Sequence, residues 1–112
     1  MSCKPYDNCF EFTNQVIKIV SCCDAKSSTR YIYENISSDV LSKYWIDGCL
    51  IDDDNSRCDF LLLNCNKEIS YFIELKGSDL IKAIEQIDRS IDILHKDFIT
   101  YSVEARIVLT RV

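Results

Sequence analysis

Residues 58 to 76 read Cys-Asp-Phe-Leu-Leu-Leu-Asn-Cys-Asn-Lys-Glu-Ile-Ser-Tyr-Phe-Ile-Glu-Leu-Lys. Two strand-like runs, Cys58 to Asn64 and Ile69 to Lys76, are separated by a short polar turn. A two-residue loop, Asn66-Lys67, and a four-residue loop, Cys65 to Glu68, predict the same hairpin register, with Asp59 directly opposite Glu74. Glu74 and Lys76 are two apart, so they leave the same face of the sheet. Two carboxylates opposed at about 4.5–5.5 Å repel each other unless something positive sits with them. A hard divalent cation such as Mg²⁺ or Mn²⁺ fits that place, and a nearby lysine can orient a water.

The second run is apolar on nearly every residue, which predicts a central strand buried on both faces. Upstream, Trp45 to Ile51 reads as a preceding strand and Asp52 to Ser56 as its polar turn, so the three strands form an antiparallel meander. Downstream, Gly77-Ser78-Asp79 breaks the strand and offers helix caps. Leu80, Ile84, Ile87, Ile91, Leu94 and Phe98 then follow a 4-3-4-3-4 spacing, the mark of an amphipathic helix lying on the sheet. A last strand, Ala105 to Thr110, closes a βαβ unit and should run parallel to the third. Tyr31 to Tyr44, with Ile32, Ile36, Val40 and Tyr44 four apart, reads as a weak helix, with Ser37 to Asp39 as the cap of a shorter one beginning near Val40. Phe10 to Val20 reads as a strand or a short helix, and Ser21 to Thr29 as a loop. The expected architecture is α/β (α+β), an αβββαβ core with a mixed sheet flanked by helices. It forms a single domain over 1–112, with the core over about 31–112 and an N-terminal extension over 1–30.

Composition bounds the partners. The chain has 112 residues, a net charge of −5 and 47% hydrophobic residues, enough for a small core. The acidic balance argues against a broad basic surface, although acids gathered at a metal site add to the negative total. No apolar run approaches the ~20 residues of a membrane span. Seven cysteines and one histidine include no Cys-x-x-Cys pair. The odd count, with no leader-like segment, predicts reduced, structural thiols and a cytoplasmic location.

The order of elements, with Asp59 heading the second strand and Glu74-Leu75-Lys76 closing the third, resembles the PD-(D/E)XK nuclease superfamily, which includes restriction endonucleases and Holliday-junction resolvases. The resemblance spans Trp45 to Thr110. Cys58 stands where the motif name has proline, a residue with no chemical part. Tyr71 to Asp79 also resembles a stretch in a narrower set of small bacterial proteins. The resemblance implies a restriction-endonuclease-like fold and metal-dependent hydrolysis of phosphodiesters, with DNA as the favoured substrate. Asp59 and Glu74 match its metal-binding acids and Lys76 its water-orienting lysine. Glu34 corresponds to the glutamate that many members carry on a helix before the first strand, and Gln86 to a glutamine that lines the site in some branches.

Other candidates follow from position. Lys82, Arg89, Arg57 and Lys43 are the expected phosphate contacts, and Asp47 can reach the site from a neighbouring strand. So short a chain implies a homodimer or a partner protein. The alternative to an enzyme is a catalytically inactive module that keeps the fold and acts within a larger complex.

Overall fold

The computed structural model describes residues 2–24, 28–53, 55–76 and 79–109, with the side chain of Lys76 outside the description. The expected Gly77-Ser78 break therefore lies outside the described residues, as does Thr110 at the end of the last predicted strand.

The hairpin forms in the expected register. β5 (Phe60–Asn64) pairs antiparallel with β6 (Ile69–Lys76), Phe60 against Ile73 and Asn64 against Ile69. Four residues turn between them. Glu68 adopts a positive φ of 53°, and the Asn64 side chain accepts from the Lys67 N–H at 3.0 Å. Asn64 is fully buried, and its amide donates to Asp39 and to the Tyr33 hydroxyl, so the turn is tied to two other segments.

The rest of the main sheet is built outward from this pair. Its order is β1-β4-β5-β6-β7, with β1 (Phe10–Gln15), β4 (Leu41–Trp45) and β7 (Ser102–Leu109). The first four strands are antiparallel, and β7 runs parallel to β6, as the βαβ reading predicts. The connection is α1 (Leu80–Leu94), continued by a 3₁₀ turn over His95–Phe98. Asp79 caps α1, its carboxylate accepting from the Lys82 N–H at 3.0 Å.

Three expectations are corrected. The segment from Tyr31 to Tyr44 is not helical: β3 (Arg30–Glu34) and most of β4 occupy it. Tyr31 and Tyr33 face inward and Arg30, Ile32 and Glu34 outward, so period two overrides the four-residue spacing. The first meander strand is Leu41–Trp45, not Trp45 to Ile51. Beyond Trp45 the chain turns, with Gly48 at φ +74°. The supposed loop from Ser21 begins in β2 (Ile19–Cys23), which pairs with β3 as a separate two-stranded sheet.

The hairpin β2–β3 thus takes the place expected for a helix. The main sheet has two apolar faces. One carries Tyr44, Leu61, Leu63 and Phe72 against Ile87, Leu94 and Phe98. The other carries Leu41, Phe60, Leu62, Tyr71 and Ile73 against Val20 and Cys22. The buried stripe of α1 is Ala83, Ile87, Ser90 and Leu94, whereas Leu80 and Ile84 are nearly half exposed.

Two disulfides, Cys3–Cys65 and Cys9–Cys49, fasten the N-terminal segment to the sheet. This corrects the expectation of reduced thiols throughout. Only Cys22, Cys23 and Cys58 are free. The sequence count was odd because three thiols stay unpaired, which says nothing about the other four. No helix of the described residues is long and apolar enough to cross a membrane.

Candidate active site

Asp59 lies one residue before β5, just past the Phe60–Ile73 pair that ends the β5–β6 ladder. Its N–H donates to the Ile73 carbonyl at 3.0 Å, and its Oδ2 accepts from the Leu75 N–H at 2.8 Å. β6 therefore holds Asp59 twice, its backbone at Ile73 and its carboxylate at Leu75, the two residues that flank Glu74. Glu74 is only 2% exposed, and Asp59 is half-buried. The neighbouring thiols register this acidic environment. Burial, reinforced by Glu74 and Asp59, pushes the Cys58 thiol up to about 12. Burial also pushes Cys22 up to about 11 against the opposing pull of Lys43, with Asp59 among the acids that add to the rise.

The helix side of the site is held by α1. The Ser90 hydroxyl accepts from the Cys58 N–H at 2.8 Å and donates to the Gln86 carbonyl. Gln86 donates to the Arg57 carbonyl at 3.1 Å, and its Oε1 is buried with no hydrogen-bond partner among the described residues. Arg89 reaches the same loop, donating to the Ser56 carbonyl at 2.8 Å and pairing with Asp53. Gln86, Arg89 and Ser90 therefore pin the segment that leads into Asp59. A polar pocket of about 220 Å³ opens beside it, lined by Asp47, Asn55, Ser56, Arg57, Lys82 and Gln86.

The structure thus brings Asp59, Glu74, Gln86, Arg57, Lys82 and Arg89 to one end of the sheet. Lys76 ends β6, its backbone paired with Leu109, and its amine lies outside the described residues. Two candidates lie elsewhere. Glu34 sits on β3 of the small sheet and is exposed. It lines a different cavity, of about 550 Å³, with Val16, Lys18, Ile19, Asn35, Ile36 and Ser38. The helix expected to carry it is absent, so Glu34 is not grouped with the other acids. Lys43 is 2% exposed, paired with Glu11 at 3.0 Å and set over the Phe60 ring. It is an interior cation, not a surface contact for phosphate. Arg57 also spends its charge internally, on Asp47 at 2.8 Å.

Ser90 was missed in the sequence. It occupies the third position of the buried 83-87-90-94 stripe, and a polar residue at such a position is the available signal. A group of three or more His, Cys, Asp and Glu suited to a metal ion is absent among the described residues. Asp59 and Glu74 are oxygen donors of the kind Mg²⁺ takes, since that ion retains several waters and uses one or two carboxylates from a protein. Comparison with models of known families, with curated proteins and with solved structures finds no match for the chain.

Proposed function

We propose that this chain is a Mg²⁺- or Mn²⁺-dependent phosphodiesterase acting on nucleic acid, with DNA as the favoured substrate, in the manner of the PD-(D/E)XK nucleases. What supports the reading is the Asp59 carboxylate bound to the Leu75 N–H at 2.8 Å, beside the buried Glu74 that precedes Leu75 on β6. A metal ion held by these two carboxylates would screen the phosphate and lower the pKa of a bound water. The protein's own part is positional. The Leu75 N–H orients Asp59. Ser90 and Gln86 hold the loop before it. Lys82, exposed on the polar pocket, draws the phosphate backbone toward the acids. Lys76, two residues beyond Glu74, is assigned the water-orienting amine. A cytoplasmic site of action remains part of the proposal. The two disulfides then form on oxidation, because reducing compartments keep such thiols open.

A second reading, an inactive module of the same fold within a larger assembly, draws on the state of the cations. Arg57 and Arg89 are neutralised by Asp47 and Asp53, and Lys43 is buried.

Mn²⁺ titration followed by melting, then plasmid cleavage, separates the two. The enzyme reading expects a rise in melting temperature that Asp59→Asn and Glu74→Gln abolish, with cleavage lost in Lys76→Ala. A melting response without cleavage selects the module. No response in the parent protein sinks the metal site.

A further inference from the structure

β7 is an edge strand. Among the described residues only β6 pairs with it, and none of its eight residues is buried. Its outward backbone donors and acceptors are a template for another strand once Arg106 leaves the Ala105 carbonyl, which its Nη1 holds at 3.0 Å, and proteins often protect such edges with like charges that repel a second copy. The charges on β7 do the reverse. Glu104 and Arg106 stand two apart on one face, bonded to each other at 2.6 Å, with Arg106 over the Tyr71 ring.

We infer that β7 joins β7 of a second copy, antiparallel across a two-fold axis at Ala105, merging two five-stranded sheets into one. The register follows from charge. Opposed side chains must share a face, so only registers centred on a residue are open to a symmetric pair. Centring on Glu104 opposes two carboxylates, and centring on Arg106 opposes two guanidiniums. Centring on Val103 or Ile107 leaves both charges facing uncharged residues. Centring on Ala105 sets Glu104 against Arg106 of the second copy, twice, at the distance of a direct cross-strand pair. It also sets Val103 against Ile107 on the helix-side face, where both already pack at the core margin. Exposed Ala105 meets itself on the axis, where a small side chain allows close approach. This interface is independent of the phosphodiesterase reading.

Sedimentation velocity of the full chain tests it. The parent protein should dimerise, while Glu104→Arg alone and Arg106→Glu alone should each weaken the dimer by at least about tenfold. An equal mixture of the two variants should recover it, because every arginine then faces a glutamate. Circular dichroism checks that each variant is folded. If Arg106→Glu does not fold after leaving Tyr71, Glu104→Arg decides alone, and a dimer of parental strength overturns the proposal. A parent that stays monomeric to submillimolar concentration, or folded variants that fail to recover on mixing, also overturns it.

Discussion

Arg89 grips Asp53 through both nitrogens, Nη1 to Oδ1 at 3.1 Å and Nη2 to Oδ2 at 2.8 Å, and so ties the acidic turn to α1. The same guanidinium holds the Ser56 carbonyl. A residue placed in the sequence as a phosphate contact is in the fold a clamp on the loop that precedes Asp59.

The clamp has a defined pH range. The Arg89 hydrogen bonds, helped by the Asn55 N–H, hold the Asp53 carboxyl down at about 2, below its ordinary 3.8. A depressed carboxyl stabilises the fold above its unfolded pKa and loses that contribution as pH falls through the folded one. The tie is therefore complete above about pH 4 and fades toward pH 2. Carbon-13 titration of the Asp53 side chain should show this midpoint, and Arg89→Ala should return it toward 3.8 while speeding amide exchange in the loop.

Asp59 has a structural duty separable from any metal. Asp59→Ala leaves the Leu75 N–H without its acceptor and should cost about 1–2 kcal/mol in urea unfolding. Asp59→Asn keeps an oxygen at that position and should lose less. Equal losses in the two variants would contradict the contact.

Lys43 should behave as an interior residue. Lys43→Ala removes its bonds to Glu11 and the Ser21 carbonyl and its place over Phe60. Because Glu11 is partly exposed, the cost should be about 1–3 kcal/mol, below that of breaking a fully buried pair. Affinity for DNA should not change in a fluorescence anisotropy titration, whereas Lys82→Ala should weaken it.

The thiols give a direct count. Near pH 8 Cys22 and Cys58 stay protonated and buried, so a thiol reagent should label only Cys23 quickly in the native protein. Unfolding without reductant should expose three thiols, and adding reductant should expose all seven. The bridges close separations of 62 and 40 residues, so reducing them should cost up to about 4 kcal/mol each. Seven reactive thiols in the unreduced, unfolded chain would remove both bridges.

The β5–β6 hairpin, its register and the amphipathic helix could be read directly, because apolar runs and a short polar turn leave few alternatives there. β3 could not. Ile32 points to solvent and mimics a helical stripe, while the residues that matter, Tyr31 and Tyr33, bury against a sheet made by distant strands. The placing of Asp59 against the end of β6 followed from the hairpin, but its bonds to the Ile73 carbonyl and the Leu75 N–H did not. The fate of Lys43 did not, because its partner Glu11 comes from an edge strand more than thirty residues away. Tertiary pairing of that kind leaves no periodic mark.

The sheet order also ranks how firmly each part is held. The first and last strands made, β1 and β7, form the two rims, and β5 lies midway between them. Either rim can peel away while β4, β5 and β6 stay joined, so fraying should progress from the outside inward. Glu74 lies in one of the last strands to let go, and the bond from the Leu75 N–H to Asp59 should outlast the loss of either margin.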